Sequence, residues 1–251
     1  MPNNNTAPED LVRTAAFSVT SADTDMYTRL RPGALVNFLI QASIQSADDL
    51  GYGLKGLREH QLFWVLSRMT IEIYQPLRWY EDLEVETWAK DVEKLIYLRD
   101  YIVRDGTKEV VARGTSGWLA IDLTTKRPKK LVGVDAEIFE RLRDRHGLDY
   151  PPERISALQS GNRFDIHPSY FDFDLNKHVT ATRYVDWMMD TFSFKFHQDH
   201  YPTRLIVNYM KETPPGEQVQ LYKQQNGEKE YYFEGKHAGS GKGSFRGRVV
   251  F

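Results

Sequence analysis

The same order of secondary-structure signals occurs twice along this 251-residue chain, and that repeat restricts its possible folds more than any other feature. Each half is predicted to contain a short strand, a turn-rich stretch, a helix and then four further strands. Phe17 begins the first short strand, and Phe164 lies at the comparable place in the second half. A basic residue, an apolar strand and an acidic turn also recur, at residues 68–81 and 204–217. The halves agree in element order more than in residue identity, which predicts two units of similar fold.

The first unit contains a clear helix signal. Pro32 suits the first helical turn, where its missing N–H would have no partner. Gly51 stands where a left-handed residue often ends a helix. Small and apolar residues three or four apart form one stripe between these positions: Leu35, Leu39, Ala42, Ser46 and Leu50. The strands predicted for this unit cover residues 17–20, 62–74, 83–89, 95–104 and 110–123.

The second unit repeats this order after a connecting stretch. Its helix is predicted from Thr180 to about Phe194, and its strands at residues 162–167, 205–211, 218–224, 230–236 and 243–251. The connecting stretch begins basic and proline-bearing, and a short helix is predicted near residues 134–143. We therefore expect three parts: an N-terminal domain (1–133) that forms the substrate tunnel, a linker with a short helix (134–161) and a C-terminal catalytic domain (162–251).

A strand, a long helix and four antiparallel strands is the order of a hotdog unit, in which the helix buries its apolar stripe against a sheet that curls around it. Hotdog units normally pair, and here the pairing would occur within one chain. The sequence therefore predicts an α+β fold, a double hotdog with two fused domains. The alternative is an unrelated α+β protein whose halves are alike only in element order.

Composition excludes several classes of protein. The chain has no cysteine, which excludes disulfides, thiolate metal sites and a cysteine nucleophile. Its formal net charge of −2 argues against binding to nucleic acid, which usually needs a basic excess. Residues 1–10 are polar and lack the apolar core of a secretory signal. No apolar run approaches the roughly 18 residues of a membrane span. We therefore expect a soluble cytoplasmic enzyme or binding protein with no membrane span.

Three polar residues alternate just before the second helix. Asp174, Asn176 and His178 would line one side of an extended segment. Unpaired backbone N–H groups at the following helix start would suit a developing oxyanion. The alternative is a polar loop in which Asp174 or Asn176 makes an Asx turn and His178 lies in solvent. The comparable first-half positions are expected near Tyr27, Arg29 and Arg31, so only the second half would hold the acid, amide and imidazole together.

These residues resemble a known family. Asp-Leu-Asn-Lys-His-Val at 174–179, followed by Tyr184 and Trp187, is similar to the active-site segment of fatty acyl–acyl-carrier-protein thioesterases, best known from plant plastids. The resemblance covers most of the chain and implies a double hotdog that hydrolyses acyl carrier protein thioesters in fatty acid biosynthesis. The first-half matches are Phe63-Trp-Val-Leu-Ser-Arg-Met69, Thr87-Trp88, Leu98-Arg-Asp-Tyr-Ile-Val-Arg-Asp105 and Leu123-Thr-Thr-Lys-Arg127.

The family's remaining catalytic position lies on the strand after the helix, in a Tyr-x-x-Glu-Cys context. Here the chain reads Tyr209-Met-Lys-Glu-Thr213, so the glutamate is Glu212 and Thr213 replaces the cysteine. A cysteine–histidine–asparagine mechanism therefore cannot operate. The resemblance implies a catalytic set of Asp174, Asn176, His178 and Glu212. The alternative for Glu212, beside two prolines and a glycine, is an ordinary turn residue.

The resemblance also leads to expectations about mechanism. A water molecule, or Glu212 itself, would attack the acyl carbonyl. Glu212 is expected to be the general base, since a partly buried carboxylate has a raised pKa. Asn176 and His178 would orient the water or hold the carbonyl. Asp174 would fix the His178 tautomer or position the Asn176 amide. N–H groups near Val179 would stabilise the oxyanion. Hydrolysis of this kind needs no metal ion or organic cofactor.

The sequence signals for the substrate tunnel and for the partner's docking surface are less specific. The acyl tunnel would use residues that fit a plain core equally well: Leu35, Leu39, Trp64 and Trp88. The partner implied is acyl carrier protein, which is acidic, so basic docking candidates are residues 126–130 and Arg141, Arg143 and Arg145. Competing functions are an acyl-coenzyme A thioesterase, a hotdog dehydratase and a non-catalytic acyl-binding protein. The sequence leaves open whether the chain forms a homodimer.

Overall fold

The computed structural model describes residues 8–131 and 136–251. The first half contains strand β1 (Arg13–Ser18), helices α1 (Pro32–Asp49) and α2 (Leu54–Glu59), and strands β2 (Leu62–Ile73), β3 (Asp82–Glu93), β4 (Ile96–Asp105) and β5 (Val110–Asp122). The second half contains β6 (Asn162–Ile166), α3 (Ala181–Asp190), α4 (Phe194–Asp199), β7 (Arg204–Tyr209), β8 (Val219–Gln225), β9 (Glu230–His237) and β10 (Gly243–Val250).

The described strands form one antiparallel sheet in the order β1-β3-β4-β5-β2-β7-β10-β9-β8-β6. The order reads the same from either edge once each first-half strand is matched with its second-half counterpart. The halves join where β2 pairs with β7, with Met69 opposite Val207. Helices α1 and α3 pack against each other and against the sheet. The predicted double hotdog is therefore confirmed, and its two units share a continuous sheet.

The helix stripe of the first unit is buried as predicted. Each of its five residues is at most 7% exposed, and Pro32 occupies the start of α1. Gly51 follows the helix with φ = 79°, a conformation that glycine adopts without strain. The stripe residues are Leu35, Leu39, Ala42, Ser46 and Leu50.

The second-half helix is shorter than predicted. It ends at Asp190, and residues to Phe194 do not continue it. Ser193 instead caps a separate helix, α4, because its Oγ accepts the N–H of Phe196 at 3.2 Å. Helix α2, which the sequence analysis did not predict, occupies the comparable place after α1. Each short helix follows one of the long helices along the chain, and α2 borders the cavity described below.

The connecting segment crosses the sheet on the face opposite α1 and α3. Asp100 on β4 accepts the N–H of Gly147 at 2.8 Å. Farther along, Asn208 on β7 accepts the N–H of Ile155 at 2.8 Å, and Glu234 on β9 accepts that of Leu158 at 3.1 Å. The predicted short helix is a single 3-10 turn, Ala136–Phe139, and the start of its predicted range lies outside the described residues. The segment is thus a packed layer that holds both halves.

Among the described residues, no helix is long and apolar enough to cross a lipid bilayer.

Candidate active site

The segment that holds Asp174, Asn176 and His178 is a tight turn. Phe173 and Val179 form an isolated bridge that closes it. Asp174 Oδ1 accepts the backbone N–H groups of Asn176 at 2.8 Å and His178 at 3.3 Å, which is an Asx turn. The expectation of an extended segment is therefore wrong. The turn chemistry of Asp174, considered above only as an alternative, is what shapes this loop.

The turn nevertheless brings the histidine to the glutamate. His178 Nε2 lies 3.3 Å from Glu212 Oε2. The two loops are aligned because the N–H of Val179 donates to the carbonyl of Thr213 at 3.0 Å. The imidazole and carboxylate, 33% and 50% exposed, face solvent and the cavity beside them. A titratable pair within hydrogen-bonding distance at a cavity mouth is the arrangement that acid–base chemistry requires.

All four predicted site residues line one cavity of about 380 Å³ between the two halves. Its polar end consists of Asp174, Asn176, His178 and Glu212. Its remaining walls come mainly from the first half, and the apolar and aromatic ones suit a hydrocarbon chain. These wall residues are Ile40 of α1, Leu54 of α2, Leu62, Phe63, Trp64, Val65 and Leu66 of β2, and Trp118 of β5.

Three expectations about individual groups are corrected by the geometry. Asp174 directs its Oδ1 to backbone N–H groups, so it shapes the loop instead of setting the His178 tautomer. The N–H of Val179 is occupied by Thr213, which removes it as an oxyanion donor. Glu212 is half exposed, so the burial assumed in assigning it the role of base is absent.

Thr213, which stands where the resembled family has cysteine, lies beneath the site. It is fully buried, and its Oγ1 accepts the hydroxyl of Tyr184 at 3.0 Å. His237 Nε2 lies 3.0 Å from the same oxygen. Burial lowers the pKa of His237 and raises the pKa of Tyr184 to about 12, so both groups are uncharged near neutral pH. Thr213 therefore supports the cavity wall through hydrogen bonds and does not face the substrate space.

The first half retains the same turn with different chemistry. Asp25 Oδ1 accepts the N–H groups of Tyr27 and Arg29, both at 2.9 Å. The N–H of Leu30 donates to Leu77 at 2.7 Å, as Val179 does to Thr213. Asp25, Tyr27 and Arg29 are therefore the counterparts of Asp174, Asn176 and His178, and Pro76 is the counterpart of Glu212. The expected positions, near Tyr27, Arg29 and Arg31, were two residues too far along the chain.

Arg29 fills the first-half counterpart of the site. Its guanidinium pairs with Asp25 at 2.7 Å and donates to the carbonyls of His197 at 2.7 Å and His200 at 3.1 Å. The residue is only 8% exposed. It therefore ties the first-half turn to α4 of the second half, and the acid–amide–imidazole set occurs in the second half alone, as predicted.

Of the predicted tunnel residues, Trp64 lines the cavity. Leu35 and Leu39 are buried in the core. Trp88 packs on the opposite face of the sheet, where its indole N–H donates to the carbonyl of Arg145 at 3.2 Å. Trp118 was not among the predicted tunnel residues, although it lies two residues after Ser116 and therefore on the same face of β5.

Several of the basic docking candidates are engaged elsewhere. Arg143 pairs with Asp91 at 2.9 Å, and Arg145 pairs with Glu86, so both pairs join the connecting segment to β3. Lys129 pairs with Asp122 at 2.5 Å. Lys126 lies at the cavity and above the Phe63 ring.

Two helix-wrapped units on one sheet, with a histidine–carboxylate pair at an apolar cavity, define a double-hotdog protein equipped for acid–base chemistry. The chain belongs to the acyl-ACP thioesterase family: the model of the family's N-terminal domain matches residues 10–141, and that of its C-terminal domain matches residues 155–248.

Individual relatives agree with this assignment. The chain is 28% identical over 195 residues to a chloroplastic oleoyl-acyl carrier protein thioesterase of Coriandrum sativum, covering 71% of this chain and 53% of that protein. It is 25% identical over 220 residues to a chloroplastic dodecanoyl-[acyl-carrier-protein] hydrolase of Cinnamomum camphora, covering 82% of this chain and 57% of that one. The chain thus spans somewhat more than half the length of these relatives.

Solved structures show the same fold. An acyl-ACP thioesterase from Bacteroides thetaiotaomicron superposes with a TM-score of 0.88 at 28% identity, covering 98% of this chain and 100% of that one. The 12:0-ACP thioesterase from Umbellularia californica superposes with a TM-score of 0.79 at 21% identity, covering 96% of each chain, and supports the fold alone.

Proposed function

We propose that this protein hydrolyses fatty acyl thioesters of acyl carrier protein to the free fatty acid and the carrier thiol. The observation that carries the proposal is the His178–Glu212 pair, 3.3 Å apart, at the polar end of an otherwise largely apolar cavity. Membership of the acyl-ACP thioesterase family supports the choice of substrate.

The cavity suggests how the substrate lies. The acyl chain occupies the apolar walls contributed by α1, β2 and β5 in the first half, where burial of each methylene is worth about 0.8 kcal/mol. Its thioester carbonyl then lies beside His178 and Glu212 of the second half. The first half is thus the chamber, and the second half supplies the reacting groups.

Glu212 is the general base in this mechanism. A water molecule attacks the thioester carbonyl carbon while its proton passes to the Glu212 carboxylate. The C–S bond then breaks, and the proton is returned to the leaving sulfur, so that Glu212 is regenerated as the carboxylate. A thiol has a pKa of about 8.5, so its thiolate is a good leaving group and needs only modest assistance. The water and thioester supply all the atoms of the two products.

The other polar residues position these groups. His178 lies beside Glu212, with Nε2 3.3 Å from Oε2, and keeps the carboxylate directed toward the water. Asn176 lines the same cavity, and its side-chain amide donates to the carbonyl oxygen as negative charge develops there. Asp174 is a positioning residue, because it fixes the turn that presents both.

The test is thiol release from acyl carrier protein thioesters of increasing chain length, with the parent chain and Glu212→Gln compared. Removing a positioned base typically lowers kcat by about 10²–10⁴, and we expect a loss in that range. Glu228→Gln is the matched control, since Glu228 is exposed on the β8–β9 turn at the other end of the strands. Normal turnover by Glu212→Gln would refute its role. Failure of the folded parent to release thiol would refute hydrolysis and favour a dehydratase or a binding protein.

A nucleophilic role for Glu212 is tested separately. Single turnover in ¹⁸O-labelled water, followed by mass spectrometry of the peptide containing Glu212, distinguishes the two mechanisms. A general base leaves that peptide unlabelled. Label in the Glu212 carboxyl would show that the glutamate itself forms an acyl anhydride, which would overturn the general-base assignment.

A further inference from the structure

The rim of the active-site cavity combines exposed apolar and basic residues in a regular way. Leu54 and Arg58 lie on α2, Leu123 and Lys126 lie in the turn that follows β5, and Met210 and Lys211 follow β7. All six line the cavity. Three separate elements therefore each place one apolar and one cationic side chain at the same opening.

The apolar members of this rim are unusually exposed. Leu54 is 51% exposed, Leu123 37% and Met210 46%. Single exposed apolar residues are ordinary, but several gathered around one opening are typical of an interaction surface. These three side chains would be removed from water only when another molecule covers the rim, and that burial would favour binding.

The cationic members are available to such a molecule. Within the described part of the chain, Arg58, Lys126 and Lys211 form no ion pair. Many other basic residues do, including Arg143, Arg145 and Lys129 discussed above. The same cavity holds the carboxylates of Asp174 and Glu212, so the three cations Arg58, Lys126 and Lys211 leave a net positive charge at the opening of a chain whose formal net charge is −2. Their field would attract an acidic partner and orient it over the cavity.

We infer that this rim is the docking surface for the acidic carrier protein that presents the acyl thioester, with an amphipathic acidic face seated on the six residues. The inference rests on the proposed function and replaces the linker cations predicted from sequence, apart from Lys126. Apolar contacts at Leu54, Leu123 and Met210 would provide the desolvated centre, and the three cations would surround it.

The experiment compares two substrates with the same acyl chain: the carrier protein thioester and the small N-acetylcysteamine thioester, which lacks both protein and phosphate. Charge reversals Arg58→Glu, Lys126→Glu and Lys211→Glu are measured singly and together. Each single reversal is expected to raise the ratio of KM for the carrier thioester to KM for the small thioester about three- to tenfold, with a larger rise for the triple variant. The effect should shrink in high salt because exposed charges are screened.

Lys229→Glu is the matched control, since Lys229 is an exposed lysine on the β8–β9 turn at the far end of the strands. Arg58→Gln, Lys126→Gln and Lys211→Gln give a milder series, expected to have intermediate effects, should a reversal unfold the protein. A ratio that moves no more than in Lys229→Glu would overturn the docking surface.

Measuring the same variants with the acyl-coenzyme A thioester identifies which anion the cations bind. An equal rise of KM for the coenzyme A thioester would assign the cations to the phosphate of the shared pantetheine arm, and would also overturn docking of the protein face. Failure of the parent to turn over any thioester would overturn the proposed function itself, whereas normal turnover with an unchanged ratio overturns only the docking surface.

Discussion

At the scale of single residues, a comparison of the two halves distinguishes the side chains that shape the turn from those that face the cavity. Asp25 and Asp174 accept equivalent pairs of backbone N–H groups, and the residue before the second donor, Thr28 or Lys177, has φ near +60° in both halves. The aspartate is present in both halves because the turn needs its oxygen. The groups that differ are those that touch the cavity, so Asn176 and His178 have Tyr27 and Arg29 as their counterparts.

Replacement of Asp174 tests this division. Asparagine retains a side-chain oxygen for an Asx turn, so Asp174→Asn should keep stability and leave kcat within about threefold of the parent. Asp174→Ala leaves two N–H groups without their acceptor and should lower the free energy of unfolding by about 1–2 kcal/mol, with a fall in kcat as the loop loosens. Urea unfolding and thiol release measure the two effects. Equal loss of activity in both variants would show that the negative charge itself takes part in the reaction.

At the scale of secondary-structure elements, two first-half elements that border the cavity, α1 and β2, are longer than their second-half counterparts. Helix α1 has 18 residues and α3 has 10. Strand β2 has 12 residues, whereas its counterpart β7 has 6. The extra two turns of helix extend over the longer strands, and the space between them accommodates the apolar walls of the cavity.

Trp118 forms a fixed part of that wall. Its indole N–H donates to Ser116 Oγ at 2.8 Å, and the Tyr101 hydroxyl lies 2.8 Å from the same serine oxygen. Trp118→Ala should therefore enlarge the chamber and shift kcat/KM toward longer acyl chains, and it should cost about 3 kcal/mol of stability as an aromatic is removed. Trp118→Phe, which keeps most of the ring volume, should retain the parent preference. An unchanged chain-length profile in Trp118→Ala would place the end of the acyl chain elsewhere.

His237, at the end of β9, makes the stability of the protein depend on pH. His237 contacts Thr213 after β7, and Thr213 contacts Tyr184 on α3. Burial lowers the pKa of His237 below its ordinary 6.5. The unfolded chain therefore binds a proton at a pH where the folded protein does not, so stability from this group is present above pH 6.5 and declines as pH falls toward the folded-state pKa. Stability above 6.5 is unaffected by this titration.

The prediction is a fall in the free energy of unfolding below about pH 6.5 that is reduced in His237→Gln. His60→Gln, which changes an exposed histidine, is the control and should keep the parent slope. Urea unfolding at a series of pH values measures both. Parallel curves for the parent and His237→Gln would show that His237 titrates alike in the folded and unfolded chains.

At the scale of the whole molecule, several connections hold the halves together. Among them are the β2–β7 pairing, the packing of α1 on α3, the connecting segment across the outer face and the contacts of Arg29 with α4. The connecting segment adds ion pairs of its own, such as Arg248 with Glu153 at 2.7 Å. Because these connections are spread over both faces of the sheet, we expect the protein to unfold as one cooperative unit.

Arg29→Ala tests the contribution of one connection. It leaves Asp25 without its partner and two carbonyls of the α4 region without donors, so we expect a loss of about 3 kcal/mol, as is typical when one partner of a buried pair is removed. Unfolding followed by circular dichroism and by tryptophan fluorescence should give coincident transitions. A double variant with Asp25→Ala should lose less than the sum of the two single losses. Additive losses would show that the pair is not coupled.

Local patterns in the sequence predicted most of the element order and the buried stripe of α1, because periodicity and turn residues act over short stretches of chain. The resemblance to a known family supplied the set Asp174, Asn176, His178 and Glu212, which the structure brings to one cavity. Tertiary structure alone decided that β2 meets β7, that the Val179 N–H is occupied by Thr213 and that Glu212 is half exposed. It also decided that the connecting segment covers one face of the sheet. These features depend on groups far apart in sequence, whose contacts are selected by the packing of the entire sheet and leave no periodic signal in any one segment.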